Sequence, residues 1–158
     1  MKIRPYREAE AGLLWQLLFD TVHRINRKDY SERQLQAWAP QTVDMAKWRE
    51  RLERTNPIVA EMDGQAVGFA ELETDGHIDC FYVHADWQGK GVGSALLERI
   101  EQLAIEHNQH CLYTESSITA RPFFLSRGFT EEHQQLVSLR GAELINYRMS
   151  KSLESRQP

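Results

Sequence analysis

The sequence predicts an α+β fold in which helices flank a mixed, largely antiparallel central sheet of about seven strands. Two observations lead to this prediction. Stretches with the helical period of apolar residues alternate along the chain with stretches of β period. Two Asp-Gly dipeptides, at 63–64 and 75–76, separate three consecutive strand-like segments. Asp-Gly favours the tight turns of hairpins, so these three segments are expected to form an antiparallel meander.

The first third of the chain predicts one strand and three helices. The strand covers 2–6 and the first helix covers 9–25. The apolar residues of this helix recur at helical spacing and are Leu13, Leu14, Leu17, Leu18 and Val22. Ser31 and Gln34 match a capping box, which predicts a second short helix that ends near Pro40. A third helix is expected over 44–54.

The rest of the chain supplies the remaining strands and two further helices. The segments IVAEM, QAVGFAELE and HIDCFYV are the strands of the meander. A helix begins at Gly91 or Val92, because Val92, Leu96 and Ile100 lie on one helical face. A strand at 111–115, a short helix at 120–127 and strands at 129–138 and 142–149 then complete the sheet.

Length and composition favour one domain that acts on small molecules. The 158 residues suffice for a single core, which is expected to span 1–158 with an N-terminal part at 1–56, a core at 57–149 and a polar tail at 150–158. A net charge of −4 and scattered basic residues argue against a nucleic-acid surface. Without a signal peptide or a membrane-length apolar window, the chain is expected in the cytoplasm and away from membranes. Cys80 and Cys111 lack metal-ligand spacing and are expected as buried thiols, with no metal site.

The stretch QGKGVGS, residues 88–94, places three glycines directly before a helix. The first N–H groups of a helix have no intrahelical partner and carry partial positive charge, so a phosphate is a suitable ligand. No Lys-Ser or Lys-Thr pair follows, which excludes a P-loop, and the spacing differs from that of a dinucleotide fold. The alternative is a glycine-rich turn that only starts the helix.

This stretch resembles the Q/R-x-x-G-x-G-A/G signature of the GNAT superfamily of N-acetyltransferases. The resemblance extends from about Pro57 to Met149, and the segments AWAP and ITARPFF are similar in particular to YafP-type bacterial members. It implies a GNAT-like fold whose fourth and fifth strands splay apart, an acetyl-CoA-binding core at 57–149 and acetyl-CoA as co-substrate. The implied coenzyme A contacts are Phe81, Tyr82, Val83, Gln88, Gly89, Lys90, Gly91, Val92, Gly93, Ser94, Ser117 and Phe124. A main-chain N–H near Tyr82 or Val83 is the implied oxyanion donor.

An amine must lose a proton before it attacks a thioester, so a base is expected near the glycine loop. His77 and Asp79 precede the loop and are the first candidates, followed by Glu71 and Glu73 on the preceding strand. The alternatives are a structural hydrogen bond for Asp79 and a solvated turn position for His77. Tyr82 is a further candidate catalytic residue.

The position at which many GNAT enzymes have a tyrosine acid is Phe124 in this sequence. The options for the general acid are solvent, Ser117, Tyr82, Tyr113 or no acid at all. The candidate acceptor contacts are Tyr30, Trp38, Arg24 and Glu73. Glu71, Glu73 and Asp79 favour a cationic amine, whereas Arg24, Arg27 and Arg121 equally favour a carboxylate.

The leading hypothesis is an acetyl-CoA-dependent N-acetyltransferase that acts on a primary amine of a small molecule or peptide in a ternary complex. No cysteine or serine lies beside a histidine in a nucleophile pattern, so no covalent intermediate is expected. The alternative is a catalytically silent acyl-CoA sensor with the same fold, which Phe124 favours. Homodimers are common in the resembled family, and no segment here marks an interface.

Overall fold

The structure, a computed structural model, describes residues 1–153. Within them, helices and strands follow the expected order and confirm the α+β architecture. The helices are α1 (Ala11–Arg24), α2 (Glu32–Trp38), α3 (Met45–Thr55), α4 (Val92–Glu106) and α5 (Arg121–Ser126). The strands are β1 (Lys2–Pro5), β2 (Ile58–Met62), β3 (Gln65–Leu72), β4 (Ile78–Val83), β5 (Cys111–Ser117), β6 (Thr130–Leu139) and β7 (Ala142–Ser152).

The seven strands form two antiparallel sheets, a four-stranded one in the order β1-β2-β3-β4 and a three-stranded one in the order β5-β7-β6. The sheets meet where β4 and β5 begin, through a single parallel bridge between His77 and Tyr113. Thr114 adds a hydrogen bond from its hydroxyl to the carbonyl of Ile78, at 2.9 Å. Beyond this point β4 and β5 diverge, which confirms the expected splay and opens a cleft between them.

Helices cover both faces of the four-stranded sheet, and each face has its own apolar core. On one face α1, α2 and α3 pack on Phe69, Cys80 and Tyr82. On the other face α4 and α5 pack on Val67, Ile78 and Phe81. The packing holds the first turn of α4 beside the end of β4, which is where the cleft opens.

The apolar side chains of Leu13 and Cys111 are exposed, and Cys111 was expected to be buried. Leu13 is 64% exposed, because it lies one position outside the stripe of α1 that buries Leu14 and Leu17. Cys111 is exposed at the start of β5, while its neighbour Leu112 on the opposite face is fully buried. Cys80 is buried, as expected.

The capping box of α2 is confirmed, since Ser31 accepts a hydrogen bond from the Gln34 amide and the Gln34 side chain accepts one from the Ser31 amide. At the other end of the chain, β7 continues to Ser152. The first residues of the expected polar tail at 150–158 therefore belong to the sheet, and 154–158 lie outside the described residues.

Candidate active site

The cleft between β4 and β5 contains a cavity of about 400 Å³. Its walls come from the end of α1, β4, the loop and first turn of α4, β5 and α5. Most of the expected coenzyme A contacts line it: Phe81, Tyr82, Val83, Gln88, Gly89, Gly91, Val92, Gly93, Ser94, Ser117 and Phe124. The glycine loop lies at one end of this cavity, and Asp79 and Glu115 lie at the other.

The glycine loop leaves the first amides of α4 free. Gly91 caps the helix with a φ of 84°, a left-handed conformation that favours glycine, and no side chain caps the amides that follow. The first intrahelical bond joins the Ala95 amide to the Gly91 carbonyl at 3.1 Å. The N–H groups of Val92, Gly93 and Ser94 therefore have no intrahelical partner, which creates a site for an anion.

Gly93 lies close to α5. A Cβ atom there would approach the Phe123 ring to 3.2 Å, which is tighter than most Cβ contacts in proteins. The lack of a side chain at Gly93 thus favours close packing of α5 against the first turn of α4.

A β-bulge in β4 shapes the middle of the cleft. The β3–β4 register passes from Ala70 opposite Phe81 to Leu72 opposite Ile78, so β4 contains one extra residue at Asp79–Cys80. The buried carboxylate of Glu71 accepts the Cys80 amide at 3.1 Å. The bulge turns Asp79 toward the cavity. It also removes the Cys80 amide from the hydrogen-bond ladder of β3 and β4, and this amide donates to the Glu71 carboxylate instead.

Glu71 was expected as a candidate base, and the structure gives it other partners. Its carboxylate is fully buried and accepts hydrogen bonds from Arg51 at 2.7 Å and from Thr55 at 2.5 Å. Burial raises the pKa of Glu71, but these bonds outweigh it and hold the pKa below its usual value. Glu71 is therefore an ionised group that fixes the bulge, and it does not line the cavity.

Along the edge of β4 that borders the cleft, the backbone N–H and C=O groups of every second residue point into the cleft. The His84 amide donates to the Val67 carbonyl at 2.8 Å, which makes Gly68 and Val83 a non-hydrogen-bonded pair. Tyr82 therefore directs its N–H and C=O toward Phe69, and Val83 directs its own toward the cleft. Of the two expected oxyanion donors, only the Val83 amide faces the cavity.

Asp79 offers a half-exposed carboxylate to the cavity, with a side chain that is 46% exposed. Its Oδ2 atom accepts a hydrogen bond from Arg51 at 2.7 Å. The same guanidinium also binds Glu71, so it is shared between two carboxylates. Desolvation raises the pKa of Asp79, and the attraction of Arg51 only partly offsets this.

His77 is enclosed by carboxylates and lies outside the cavity lining. Its Nδ1 atom contacts Glu73 and its Nε2 atom contacts Glu115, each at 2.5 Å, and its ring stacks on Tyr113. Burial lowers the pKa of His77, but the two carboxylates outweigh it and raise the pKa. Ligand atoms of Glu73, His77 and Asp79 lie within 4.8 Å of one another, yet both ring nitrogens already have carboxylate partners.

The aromatic floor of the cavity comes from two residues that bind each other. The Trp38 indole donates to the Tyr82 hydroxyl at 2.9 Å, and both residues line the cavity. Burial raises the pKa of Tyr82 far above its usual value, so this hydroxyl keeps its proton. Tyr30 packs edge-on against Trp38 with ring centroids 5.3 Å apart but does not line the cavity, and its hydroxyl donates to the Ile145 carbonyl at 2.7 Å and accepts the Ile118 amide at 2.9 Å.

Three other expected contacts lie outside the lining of this cavity. Arg24 is exposed and pairs with Asp86 at 2.7 Å. Glu73 is engaged with His77. Lys90 lies 5.0 Å from the centre of the Trp87 ring. These residues are held by neighbours on the surface, which the sequence did not reveal.

Ser117 and Phe124 contribute differently to the cavity. The Ser117 hydroxyl oxygen accepts the Ala120 amide at 3.0 Å and lies 3.4 Å from the amide nitrogen of Asn26. Its own proton is free to be donated. Phe124 is 2% exposed and packs edge-on against Phe81 and Phe129.

Several lining residues were not expected from the sequence: Thr21, Trp87, Glu115, Phe123 and Arg127. A signal existed for Glu115, because it lies two residues before Ser117 and therefore shares its face of β5. Thr21 donates to the Val83 carbonyl at 2.9 Å from a distant helix, and no local pattern indicates this contact.

Comparison with known proteins identifies the class of this fold and cleft. The Acetyltransferase (GNAT) domain family matches residues 26–151, so the chain belongs to the GNAT acetyltransferase family. The chain is 33% identical over 149 residues to the uncharacterized N-acetyltransferase YafP of Escherichia coli K12, with 94% of each chain covered. The expected similarity to YafP-type members is confirmed.

Solved structures share the fold. A GCN5-related N-acetyltransferase from Rhodopseudomonas palustris, described as a class-II aminotransferase, is 35% identical with a TM-score of 0.92, covering 96% of this chain and 94% of its own. The yncA protein of Salmonella typhimurium, solved with its cofactor acetyl-CoA, is 24% identical with a TM-score of 0.72, covering 100% and 96%. Among residues 1–153, no helix combines the length and apolar character needed to cross a membrane.

Proposed function

We propose that this chain transfers the acetyl group of acetyl-CoA to a primary amine of a small molecule or peptide, by direct attack in a ternary complex. One observation carries the proposal. A single cavity joins free helix-terminal amides at one end to a half-exposed carboxylate, Asp79, at the other. The first feature suits a phosphate-bearing cofactor and the second suits an amine that must lose a proton.

The residues of the cleft fit coenzyme A. The amides of Val92, Gly93 and Ser94 are free to bind phosphate oxygens. The open edge of β4 at Phe81 and Val83 offers main-chain groups to an extended amide chain, as an added strand would use them. When bound, acetyl-CoA supplies an acetyl group activated as a thioester.

The Val83 amide is positioned to stabilise negative charge on a carbonyl oxygen. It faces the cleft, whereas the Tyr82 amide bonds to Phe69 within the sheet. The Val83 carbonyl is held by the Thr21 hydroxyl at 2.9 Å and by the Gln88 side chain at 2.8 Å. These contacts hold the backbone of Val83 in place, and a donor fixed before the reaction stabilises an oxyanion most effectively.

Asp79 is the residue that accepts the proton of the acceptor amine. It lines the cavity, its pKa is raised by burial, and a base works best when its pKa lies near the working pH. Its side chain is 46% exposed, so the proton can pass on to water. His77 cannot take this role, because it lies outside the cavity lining and both of its ring nitrogens are bound to carboxylates.

Ser117 is the hydroxyl best placed to protonate the departing thiolate. It lines the cavity and its oxygen accepts N–H donors, which leaves its own proton free. Tyr113 instead donates its hydroxyl to Asp75. Cys80 is buried and its pKa is raised well above the usual value, which excludes it as a nucleophile.

The test is release of free thiol from acetyl-CoA in the presence of a panel of small amines, amino acids and short peptides. Thiol release with at least one amine, and a matching acetylated product by mass spectrometry, is expected. Silence across the panel, with coenzyme A binding confirmed by calorimetry, would instead support an acyl-CoA sensor. Homodimerisation and a cytoplasmic location stay predictions, which sedimentation and fractionation test.

A further inference from the structure

Two carboxylates from different strands line the end of the cavity that is remote from the glycine loop. Asp79 extends from β4 and Glu115 from β5, and both line the cavity. Their side chains are 46% and 35% exposed, so both are accessible to a ligand in the cleft. The strands are still close here, because the bridge between His77 and Tyr113 lies only two residues earlier on each strand.

In each of the two carboxylates, only one of the two oxygen atoms binds another side chain. Oδ2 of Asp79 binds Arg51 at 2.7 Å, and Oε2 of Glu115 binds His77 at 2.5 Å. Among residues 1–153, Oδ1 of Asp79 and Oε1 of Glu115 accept no hydrogen bond from another side chain. The side chains are thus fixed in position, and each keeps an oxygen for a donor from outside the protein.

The surrounding cations do not balance the carboxylates. Arg51 is shared by Glu71 and Asp79, and His77 is shared by Glu73 and Glu115. Even with His77 protonated, two cations therefore face four carboxylates. Arg148 is opposite Glu115 on β7, but its guanidinium pairs with Glu132 and lies over the Tyr113 ring. An excess of negative charge remains at this end of the cavity.

The arginines that the sequence offered for a carboxylate are engaged elsewhere. Arg24 pairs with Asp86, Arg27 with Glu32, and Arg121 with Glu131, and all three lie outside the cavity lining. Arg127 does line the cavity, but it binds Ser94 at the glycine-loop end. At the end of the cavity that contains Asp79 and Glu115, no free cation among the described residues is available to bind an anionic group of a substrate.

We propose that the acceptor is a dication, an aliphatic amine with a second ammonium group, and that Glu115 binds this second ammonium. The inference rests on the acetyltransferase activity proposed above and names its substrate class. The reacting ammonium gives one proton to Asp79, and the lone pair of the resulting neutral amine forms the new C–N bond to the acetyl carbon. The C–S bond breaks, the nitrogen releases a second proton to become the amide, and the thiolate of coenzyme A takes up this proton. The second ammonium stays charged beside Glu115 throughout.

The experiment compares α,ω-diamines of three to six carbons with alkylamines of the same heavy-atom length, for example 1,4-diaminobutane with pentylamine. An aminocarboxylate, 5-aminopentanoate, completes the set. A charged hydrogen bond to Glu115 predicts that the best diamine exceeds its alkylamine in kcat/KM by about 10- to 100-fold. The diamine preference should shrink at high salt, because the attraction is partly exposed to solvent.

Glu115→Gln supplies the residue-level test. The ratio of kcat/KM between the best diamine and its alkylamine is expected to fall toward one in this variant. Glu98→Gln, an exposed position on α4 outside the cavity, is the matched control and should keep the ratio of the unmodified protein. The salt dependence of the unmodified protein gives an independent answer if Glu115→Gln does not fold.

The outcomes separate this inference from the proposed activity. Turnover with equal kcat/KM for diamines and alkylamines, or a preference for 5-aminopentanoate, would overturn the dication proposal and leave the acetyltransferase standing. A preserved diamine preference in Glu115→Gln would remove Glu115 as the binding residue. Thiol release with no amine of any kind would overturn the acetyltransferase proposal itself, and the substrate class with it.

Discussion

The two ends of the cleft are built from different parts of the chain. At the glycine-loop end, the groups offered to a ligand are main-chain amides of Val92, Gly93 and Ser94 in one continuous segment. At the carboxylate end, they are side chains of Asp79 and Glu115, held by residues of α3 and β3 and of the turn before β4. One end depends on local backbone conformation, and the other depends on contacts between distant segments.

This difference suits the two ligands. A cofactor with phosphates is recognised by amides that any sequence supplies once the glycines set the conformation. An acceptor is recognised by specific charged groups, which a change of one side chain can alter. We therefore expect substitutions at the loop to affect coenzyme A binding, and substitutions at the carboxylates to affect turnover and acceptor choice.

The largest expected effect is at the loop. Gly91→Glu forces a side chain onto a φ of 84° and adds a negative charge beside the amides that are proposed to bind phosphate. Coenzyme A binding should disappear in calorimetric titration. Gly64→Glu is the matched control, since Gly64 has a φ of 76° and equally open surroundings but lies in the β2–β3 turn. Unchanged coenzyme A affinity in Gly91→Glu would contradict the phosphate site.

The next effect is at the carboxylate end. Asp79→Asn removes the proposed base and should lower kcat by about 10²- to 10⁴-fold, with little change in coenzyme A affinity. Because the pKa of Asp79 is raised, turnover in the unmodified protein should decline as pH falls through that value, earlier than for an ordinary aspartate. The pH–rate profile of Asp79→Asn should lack this decline.

Loss of coenzyme A binding in Asp79→Asn would contradict the division of the cleft into two ends, since it would show that the carboxylate end also determines coenzyme A binding. Asp44→Asn provides a control at a carboxylate that only caps α3, through the Ala46 and Lys47 amides. This control should change stability slightly and leave the pH–rate profile as it is.

A third effect concerns stability. Glu71→Gln leaves Arg51 without its buried partner and weakens the acceptor of the Cys80 amide, which should cost about 3 kcal/mol in the free energy of unfolding. The pKa of Glu71 is lowered in the folded state, so its contribution is complete above the usual glutamate pKa and is lost as pH falls through the folded value. Urea titrations at neutral and acidic pH measure both.

The control for this prediction is Glu61→Gln: Arg4 keeps Glu10 as Arg51 keeps Asp79, but the Glu61 side chain is 20% exposed, whereas that of Glu71 is fully buried. A smaller loss is expected there. Equal stability of Glu71→Gln and the unmodified protein, or a difference between them that grows in acid, would contradict the role of Glu71 in holding the bulge.

The glycine loop and the start of α4 were predictable from the sequence, because the residues that determine them lie within one segment. The glycine spacing and the period of Val92, Leu96 and Ile100 both lie within one segment, and α4 begins at Val92 as expected. The hairpin turns and the α2 capping box were predictable for the same reason.

The carboxylate end could not be predicted in the same way. Glu71 and Asp79 were both candidates, but Glu71 is buried against Arg51 and Thr55 of α3, whereas Asp79 lies at the β4 bulge with a half-exposed side chain. His77 is a plausible base in the sequence, and Glu73 and Glu115 enclose it only once β4 meets β5. Pairings between segments far apart in sequence decide these roles.

The smallest expected effect tests whether one of the two side-chain donors to the Val83 carbonyl is sufficient to hold it. Thr21→Val removes one of two side-chain donors to the Val83 carbonyl, while the Gln88 bond of 2.8 Å remains. The loss should be about 1 kcal/mol in unfolding, with KM for acetyl-CoA nearly unchanged. Thr74→Val, at an exposed position, is the control. A large rise in KM for Thr21→Val would show that the open edge of β4 depends on a distant side chain, as the carboxylate end does.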